Sequence, residues 1–318
     1  MPYFAVPSNG GTAVADPITL SSLRAGGKAA LARALARIEQ APDAPDVIDL
    51  LSAAYAEPQA QVVGMTGPPG VGKSTLMNAL IGGWRERGRR VACIAVDPSS
   101  RRSGGALLGD RTRLSTDPED QGIFVRSMAA RDRLGGLAGL TVSAMVLMRA
   151  LYDVVLIETV GVGQSETDVV GVADTVIFCV QPGSGDSLQF MKAGIAEIPH
   201  IVVVTKADMG AAARRARADV KGALSLAEEP AGWEIPVLLV SSMQKQGVDE
   251  LVGVVDSHRH HLLSTGRLQQ ERHSQAGQWL LESVRERFGR EGVRRAGDLS
   301  LEVGASPFRR LAEVASRL

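Results

Sequence analysis

Seven short runs of β-branched and aliphatic residues punctuate the chain, at 62–66, 91–96, 123–125, 154–157, 175–180, 201–204 and 237–240. Between them lie longer, amphipathic stretches rather than two-residue turns. Strands spaced in this way cannot pair as hairpins. They need crossover connections, which set them parallel in one sheet with helices on both faces. The expected fold class is therefore α/β, a mainly parallel central sheet flanked by helices. Ligands of such sheets gather beyond the carboxyl ends of the strands, so the residues just after each run carry the most information.

The flanks read differently. Residues 1–18 are rich in Pro, Gly, Ser and Asn without apolar periodicity, and are expected to be mobile. In LSSLRAGGKAALARALARIEQ, Leu23, Leu31, Leu35 and Ile38 fall at helical spacing, and 46–56 reads as a second helix. Helical patterns return at 248–263 and 269–288, with Pro307 placed to start a last helix. The expected organisation is an N-terminal helical segment over 1–58, a nucleotide domain over 59–246 and a C-terminal helical arm over 247–318.

Basic and acidic residues balance at 35 each, which gives no reason to expect nucleic acid or an anionic membrane as partner. No stretch approaches the roughly 18 apolar residues of a membrane span. The first residues show neither a basic start with an apolar core nor an Arg-rich pattern, so a cytoplasmic chain is expected. Cys93 and Cys179 each sit inside an apolar run, as buried, reduced thiols do. His258, His260 and His261 lack matching Cys or carboxylate spacing and read as a solvated helix face.

GPPGVGKST, 67–75, follows the first apolar run and precedes a helical stretch. It fits GxxxxGK[ST] in the strand–loop–helix context that gives the motif its meaning. Gly67, Gly70 and Gly72 allow the backbone around Val71 to wrap a β-phosphate with its N–H groups, helped by the helix start at Thr75. Lys73 would bridge β- and γ-phosphates, and Ser74 would offer its hydroxyl to Mg²⁺. The fold class thereby narrows to a P-loop NTPase with helical extensions at both ends.

Further motifs follow in the expected order. Asp97 ends the second run, placed either to hold Mg²⁺ or to cap the turn before Pro98, and Asp110 lies in a glycine-bearing loop beyond it. ETVGVGQSE, 158–166, ends the fourth run: Glu158 suits the metal shell, and Gly161 can bring its N–H close to a γ-phosphate. The residue after that glycine is Val162, where many GTPases carry a water-positioning glutamine; Gln164 is the nearby polar alternative. Slow intrinsic hydrolysis, accelerated by a partner, is the expectation. TKAD, 205–208, ends the sixth run where a guanine-reading NKxD belongs. Asp208 would accept the ring imino proton and the exocyclic amine of guanine, while the stem of Lys206 covers the base and Thr205 replaces the asparagine. VSSM closes the seventh run, so Ser241, Ser242 and Met243 would form a turn whose N–H meets the guanine carbonyl.

Taken together, GPPGVGKST, VDPSS with GGALLGDRTR, ETVGVGQSE, PGSGDSLQ and TKAD closely resemble the MeaB/ArgK-like GTPases, relatives of the human methylmalonic aciduria type A protein. The resemblance covers most of the chain. It implies a GTP- and GDP-binding, Mg²⁺-dependent protein that chaperones an adenosylcobalamin-dependent acyl-CoA mutase, gates its cofactor loading and forms a homodimer through C-terminal helices. By the same likeness, Lys73 and Ser74 take the phosphate and Mg²⁺ roles, Asp97, Asp110 and Glu158 line the metal region, and Asp208 reads guanine. Asp186 and Lys192 become candidates for signalling the nucleotide state to the partner. Two other readings use the same phosphate loop: a kinase, as older ArgK naming suggests, and a nickel-insertion GTPase, which would need metal-delivery ligands.

Overall fold

The computed structural model describes residues 18–98, 116–130, 139–159, 169–183, 199–225 and 232–318. Strands β1 (Gln61–Thr66), β2 (Val91–Pro98), β3 (Ile123–Ala130), β4 (Val154–Glu158), β5 (Thr175–Val180), β6 (Ile201–Val204) and β7 (Val237–Leu239) form one sheet in the order β3-β2-β4-β1-β5-β6-β7. Every pairing is parallel. The strands are apolar on successive residues because helices cover both sheet faces.

One face receives α1 (Leu20–Gln40), α2 (Pro45–Ala56) and α4 (Gly139–Arg149), which bury Val62, Ile94, Val155, Ile157 and Val176. The other receives α3 (Lys73–Glu86) and α6 (Val248–Ser264), which bury Val63, Met65, Cys93, Leu156, Ile177 and Val203. Helix α5 (Ala211–Leu224) covers Phe178, Val180, Val202 and Val204. Alternate residues of one strand thus belong to opposite cores, and each fully buried aliphatic side chain contributes about 1.5–3 kcal/mol. Both cysteines are free and buried, and burial pushes the Cys93 thiol up and that of Cys179 up to about 12.

The N- and C-terminal helices meet. Helices α7 (Arg267–Ala296) and α8 (Pro307–Ala315) fold back onto α2. Trp279 packs on Phe308 with ring centroids 4.8 Å apart, Ser52 and Ser306 share a hydrogen bond of 2.8 Å, and Arg309 pairs with Asp49 at 2.8 Å. α1 starts on a reciprocal cap, with the Thr19 side chain accepting from Ser22 N–H and the Ser22 hydroxyl accepting from Thr19 N–H. Among the described residues no helix is long and apolar enough to cross a membrane.

Three readings need correction. β3 runs on to Ala130, past the run expected at 123–125, because its partner β2 extends equally far, pairing Asp97 with Ala129 and Pro98 with Ala130. α3 begins at Lys73 rather than Thr75, because Gly72 in the left-handed region already caps it. His258 does not lie on a solvated face. It is 1% exposed, between His200 (ring centroids 4.5 Å apart) and Trp233 (4.7 Å). It continues the buried face of α6 formed by Leu251, Val252 and Val255, and its packing partners come from distant segments.

Candidate nucleotide site

Because the sheet is parallel, the C-terminal ends of β1, β4, β6 and β7 open on one edge, and the phosphate loop leaves β1 there. Gly67 needs its lack of side chain: at φ 138° a Cβ would lie 2.3 Å from the carbonyl oxygen of Cys179 at the end of β5. Gly70, Val71 and Gly72 complete the loop, which delivers Lys73 at the first turn of α3. Lys73 is 6% exposed and donates to the carbonyls of Gly67 and Pro68 at 2.7 and 3.0 Å. The ammonium is therefore held inside the curve of its own loop. Thr75 is exposed on α3.

Next to β1, β4 sets Glu158 beside both Met65 and Ala95 in register. Glu158 is buried, and Ser74 Oγ donates to its Oε1 at 2.8 Å. A hydroxyl and a carboxylate brought together across two elements are hard oxygen donors of the kind Mg²⁺ takes. The donor set fits that ion. Thr159 follows, buried, with its hydroxyl 3.3 Å from that of Thr66. The backbone of Asp97 ends β2 on the same edge. Asp110, Gly161, Gln164, Asp186 and Lys192 lie outside the described residues.

The end of β6 forms a second cluster. Thr205 is 4% exposed, and its Oγ1 donates to the carbonyl of Val71 at 2.7 Å and lies 3.0 Å from that of Val180. Its hydroxyl therefore ties the β6 end to the phosphate loop. Lys206 sits in the left-handed region at φ 54°, which turns the chain so that Asp208 points toward β7. Ser241 Oγ donates to Asp208 Oδ1 at 2.6 Å, and this hydrogen bond holds the exposed carboxyl below the ordinary carboxylate range. Ser241 is in turn bridged to Gln246, which closes the turn carrying Ser242 and the 84% exposed Met243. Lys206 Nζ donates to Gln181 Oε1 at 2.6 Å. Gln181 and the carbonyl of Cys179 were not singled out from sequence, since the β1–β5 and β5–β6 pairings are what bring them here.

The geometry makes the Thr205 hydroxyl testable. Thr205→Val keeps the shape and loses the donor, so GDP affinity should fall about three- to tenfold, the size of one neutral hydrogen bond. Thr205→Ser should stay within about twofold. Titration of a fluorescent GDP against the three proteins checks this, and equal affinity of the valine variant would refute it.

A glycine loop under a helix start, a serine–carboxylate pair at the neighbouring strand end and an aspartate held at the β6 end define a P-loop nucleotide-binding protein. Residues 31–295 match the family described as methylmalonyl-CoA mutase-associated GTPase MeaB. The chain belongs to that family of GTPases. It is 40% identical over 273 residues to a probable GTPase of Mycobacterium tuberculosis, covering 84% of this chain and 81% of that one. A putative GTPase of Pyrococcus abyssi is 45% identical over 218 residues, 67% of each chain. The mitochondrial methylmalonic aciduria type A homologue of Mus musculus is 38% identical over 228 residues, 70% of this chain and 55% of that one. Among solved structures, an LAO/AO transport system kinase superposes with a TM-score of 0.65 at 29% identity, over 93% of this chain and 96% of that one.

Proposed function

We propose that this chain is a GTP-driven chaperone of an adenosylcobalamin-dependent acyl-CoA mutase, acting as a homodimer and gating cofactor loading. The observation that carries the reading is the junction of three strand ends at the phosphate loop, in a chain whose family is named for association with methylmalonyl-CoA mutase.

The residues divide the work. N–H groups of 67–72 and the start of α3 face the phosphates, with Val71 and Thr75 at the two ends of that cradle. Lys73 exchanges its loop carbonyls for β- and γ-phosphate oxygens, a short move for a group already inside the loop. Ser74 and Glu158 would hold Mg²⁺, with Asp97 and Asp110 as further candidates; the ion would supply charge neutralisation at the phosphates. Asp208 accepts from guanine, Lys206 covers one face of the base, and the Ser242 N–H meets its carbonyl beside Met243. Glu158 and Gly161 report whether a γ-phosphate is present. With valine at 162 and Gln164 further along, water is poorly positioned, so hydrolysis is slow until a partner completes the site. Asp186 and Lys192 would pass the nucleotide state to that partner.

The reading predicts that a cobalamin-dependent acyl-CoA mutase is captured on this protein differently with GDP and with a non-hydrolysable GTP analogue. It also predicts that adding the mutase raises GTP turnover. Absence of mutase capture in every nucleotide state would remove the partner assignment while leaving the GTPase. The solved relative's name favours a second reading, phosphoryl transfer to an acceptor. Label from γ-³²P-GTP appearing on a protein or small molecule rather than in inorganic phosphate would decide for it.

A further inference from the structure

Three consecutive residues at the C-terminal tip of β5 each meet a different part of the nucleotide site. The carbonyl of Cys179 packs so closely on the phosphate loop that a Cβ on Gly67 would lie 2.3 Å from it. The carbonyl of Val180 accepts Thr205 N–H at 2.9 Å and lies 3.0 Å from the Thr205 hydroxyl. Gln181, one residue past the strand, accepts from Lys206 Nζ through its Oε1 at 2.6 Å. On the other side of the same turn, Ala207 N–H donates to the carbonyl of Val240 at 3.2 Å.

These contacts divide between backbone and side chain. Thr205 and Ala207 fasten the turn to β5, to the phosphate loop through Val71 and to the residue that follows β7. They do nothing for the long side chain between them. Lys206 is exposed, and a lysine stem left free in water samples many rotamers. The φ of 54° at Lys206 sets where that stem begins, and Gln181 sets where it ends. Among the described residues, Gln181 is the hydrogen-bond partner of the ammonium, and Lys206 and Asp208 form no ion pair. The glutamine itself is half-buried and follows a strand that is buried along its whole length, so its acceptor stands on a firm support.

We propose that Gln181 is a positioning residue for guanine nucleotide binding: it holds the Lys206 stem in place as a platform for the base before any nucleotide arrives. The proposal rests on the reading that Lys206 covers one face of the base. A stem already held loses less freedom when a ring settles on it, so the nucleotide binds more tightly without any new contact to Gln181.

The test is a double-mutant cycle read as GDP affinity. Gln181→Met keeps the length of the side chain and removes the acceptor, so GDP should bind roughly three- to tenfold more weakly. Gln181→Glu still offers the ammonium an oxygen and should stay within about twofold of the native chain. In a Lys206→Ala background, Gln181→Met should change GDP affinity by less than about twofold, because the group it acts through is gone. The same loss with and without the lysine overturns the proposal, as does a glutamate variant that binds as weakly as the methionine one. Native affinity in Gln181→Met while Lys206→Ala binds GDP weakly overturns it too, and leaves the base-covering reading standing. Native affinity in Lys206→Ala removes that reading, and the proposal with it. Should the methionine variant fold poorly, Gln181→Ala takes its place in the cycle with the same expected and overturning results.

Discussion

Replacing Asp208 with asparagine is expected to lower GDP affinity on the order of a hundredfold and to raise affinity for xanthosine diphosphate. The geometry fixes which way the new amide turns. Ser241 Oγ lies 2.6 Å from Oδ1, while the Gln244 N–H points at Ser241 Oγ from 3.4 Å, so the serine hydroxyl donates toward residue 208. An asparagine must give that hydroxyl its carbonyl, which leaves the amide NH₂ where Oδ2 stood. Guanine presents two donors there, the imino N–H and the exocyclic amine. One charge-assisted hydrogen bond is lost and a donor now faces a donor. Xanthine carries a carbonyl in place of the amine and so accepts from the NH₂. Titrating both diphosphates against the two proteins decides the matter, and unchanged GDP affinity in Asp208→Asn would sink the base-reading role. Ser241→Ala should have a smaller effect, since it removes the orienting hydroxyl and leaves the carboxylate.

The contrast between Asp208 and Thr205 shows what a sequence can disclose. The parallel α/β frame was legible because it is written locally, in short β-branched runs separated by amphipathic stretches. The phosphate loop and the aspartate of TKAD were legible because each lies within a few residues of its strand end. Thr205 read only as a departure from asparagine, and its bond to Val71 crosses 134 residues. The same distance problem hid the hydrogen bonds that Gln275 donates to the carbonyls of Val170 and Ala173, 105 and 102 residues away. It also hid the extent of β3, which runs beyond 125 because β2 pairs with it as far as Ala130. α4 shows the converse: LTVSAMVLMR is buried along its length between the sheet and the N-terminal helices, so it lacks the polar face that would mark its period.

His258, misjudged for the same reason, sets up the second large effect: the fold is expected to weaken steeply between pH 6.5 and about pH 4. Thr175 Oγ1 accepts from Gln61 Nε2 at 2.9 Å, so its own proton goes to His258 Nδ1 at 2.8 Å. His200 Nδ1 accepts Val176 N–H at 2.9 Å. Both imidazoles are therefore neutral, with the Nδ1 lone pair engaged at the start of β5. Burial holds His200 down to about 4, aided by the Arg267 charge, with Asp174 opposing; burial and the neighbouring His200, His261 and Arg267 hold His258 down to about 3.

The unfolded chain takes up these protons near pH 6.5, the folded chain only near 4 and 3. Stability is thus complete above 6.5 and declines as pH falls, because the unfolded state binds more protons throughout that window. At pH 5 each ring withdraws about 2 kcal/mol, which together lowers Tm on the order of 5–10 °C relative to pH 7.5. Asp46, Asp120, Asp208 and Asp298, whose carboxyls are held below 3.8, lose their contribution only at lower pH. Glu271, raised by burial, works in the opposite direction and blunts the fall. His258→Asn keeps an acceptor for the Thr175 hydroxyl and cannot take a proton, so its Tm should drop about half as far over the same range. A flat Tm between pH 7.5 and 5 in the native chain would refute the assignment. Thr175 opens β5 while Cys179 and Val180 at its other end meet the phosphate and base loops. Saturating GDP should therefore raise Tm by a similar amount at both pH values, since the proton-linked rings and the nucleotide act on opposite ends of one central strand.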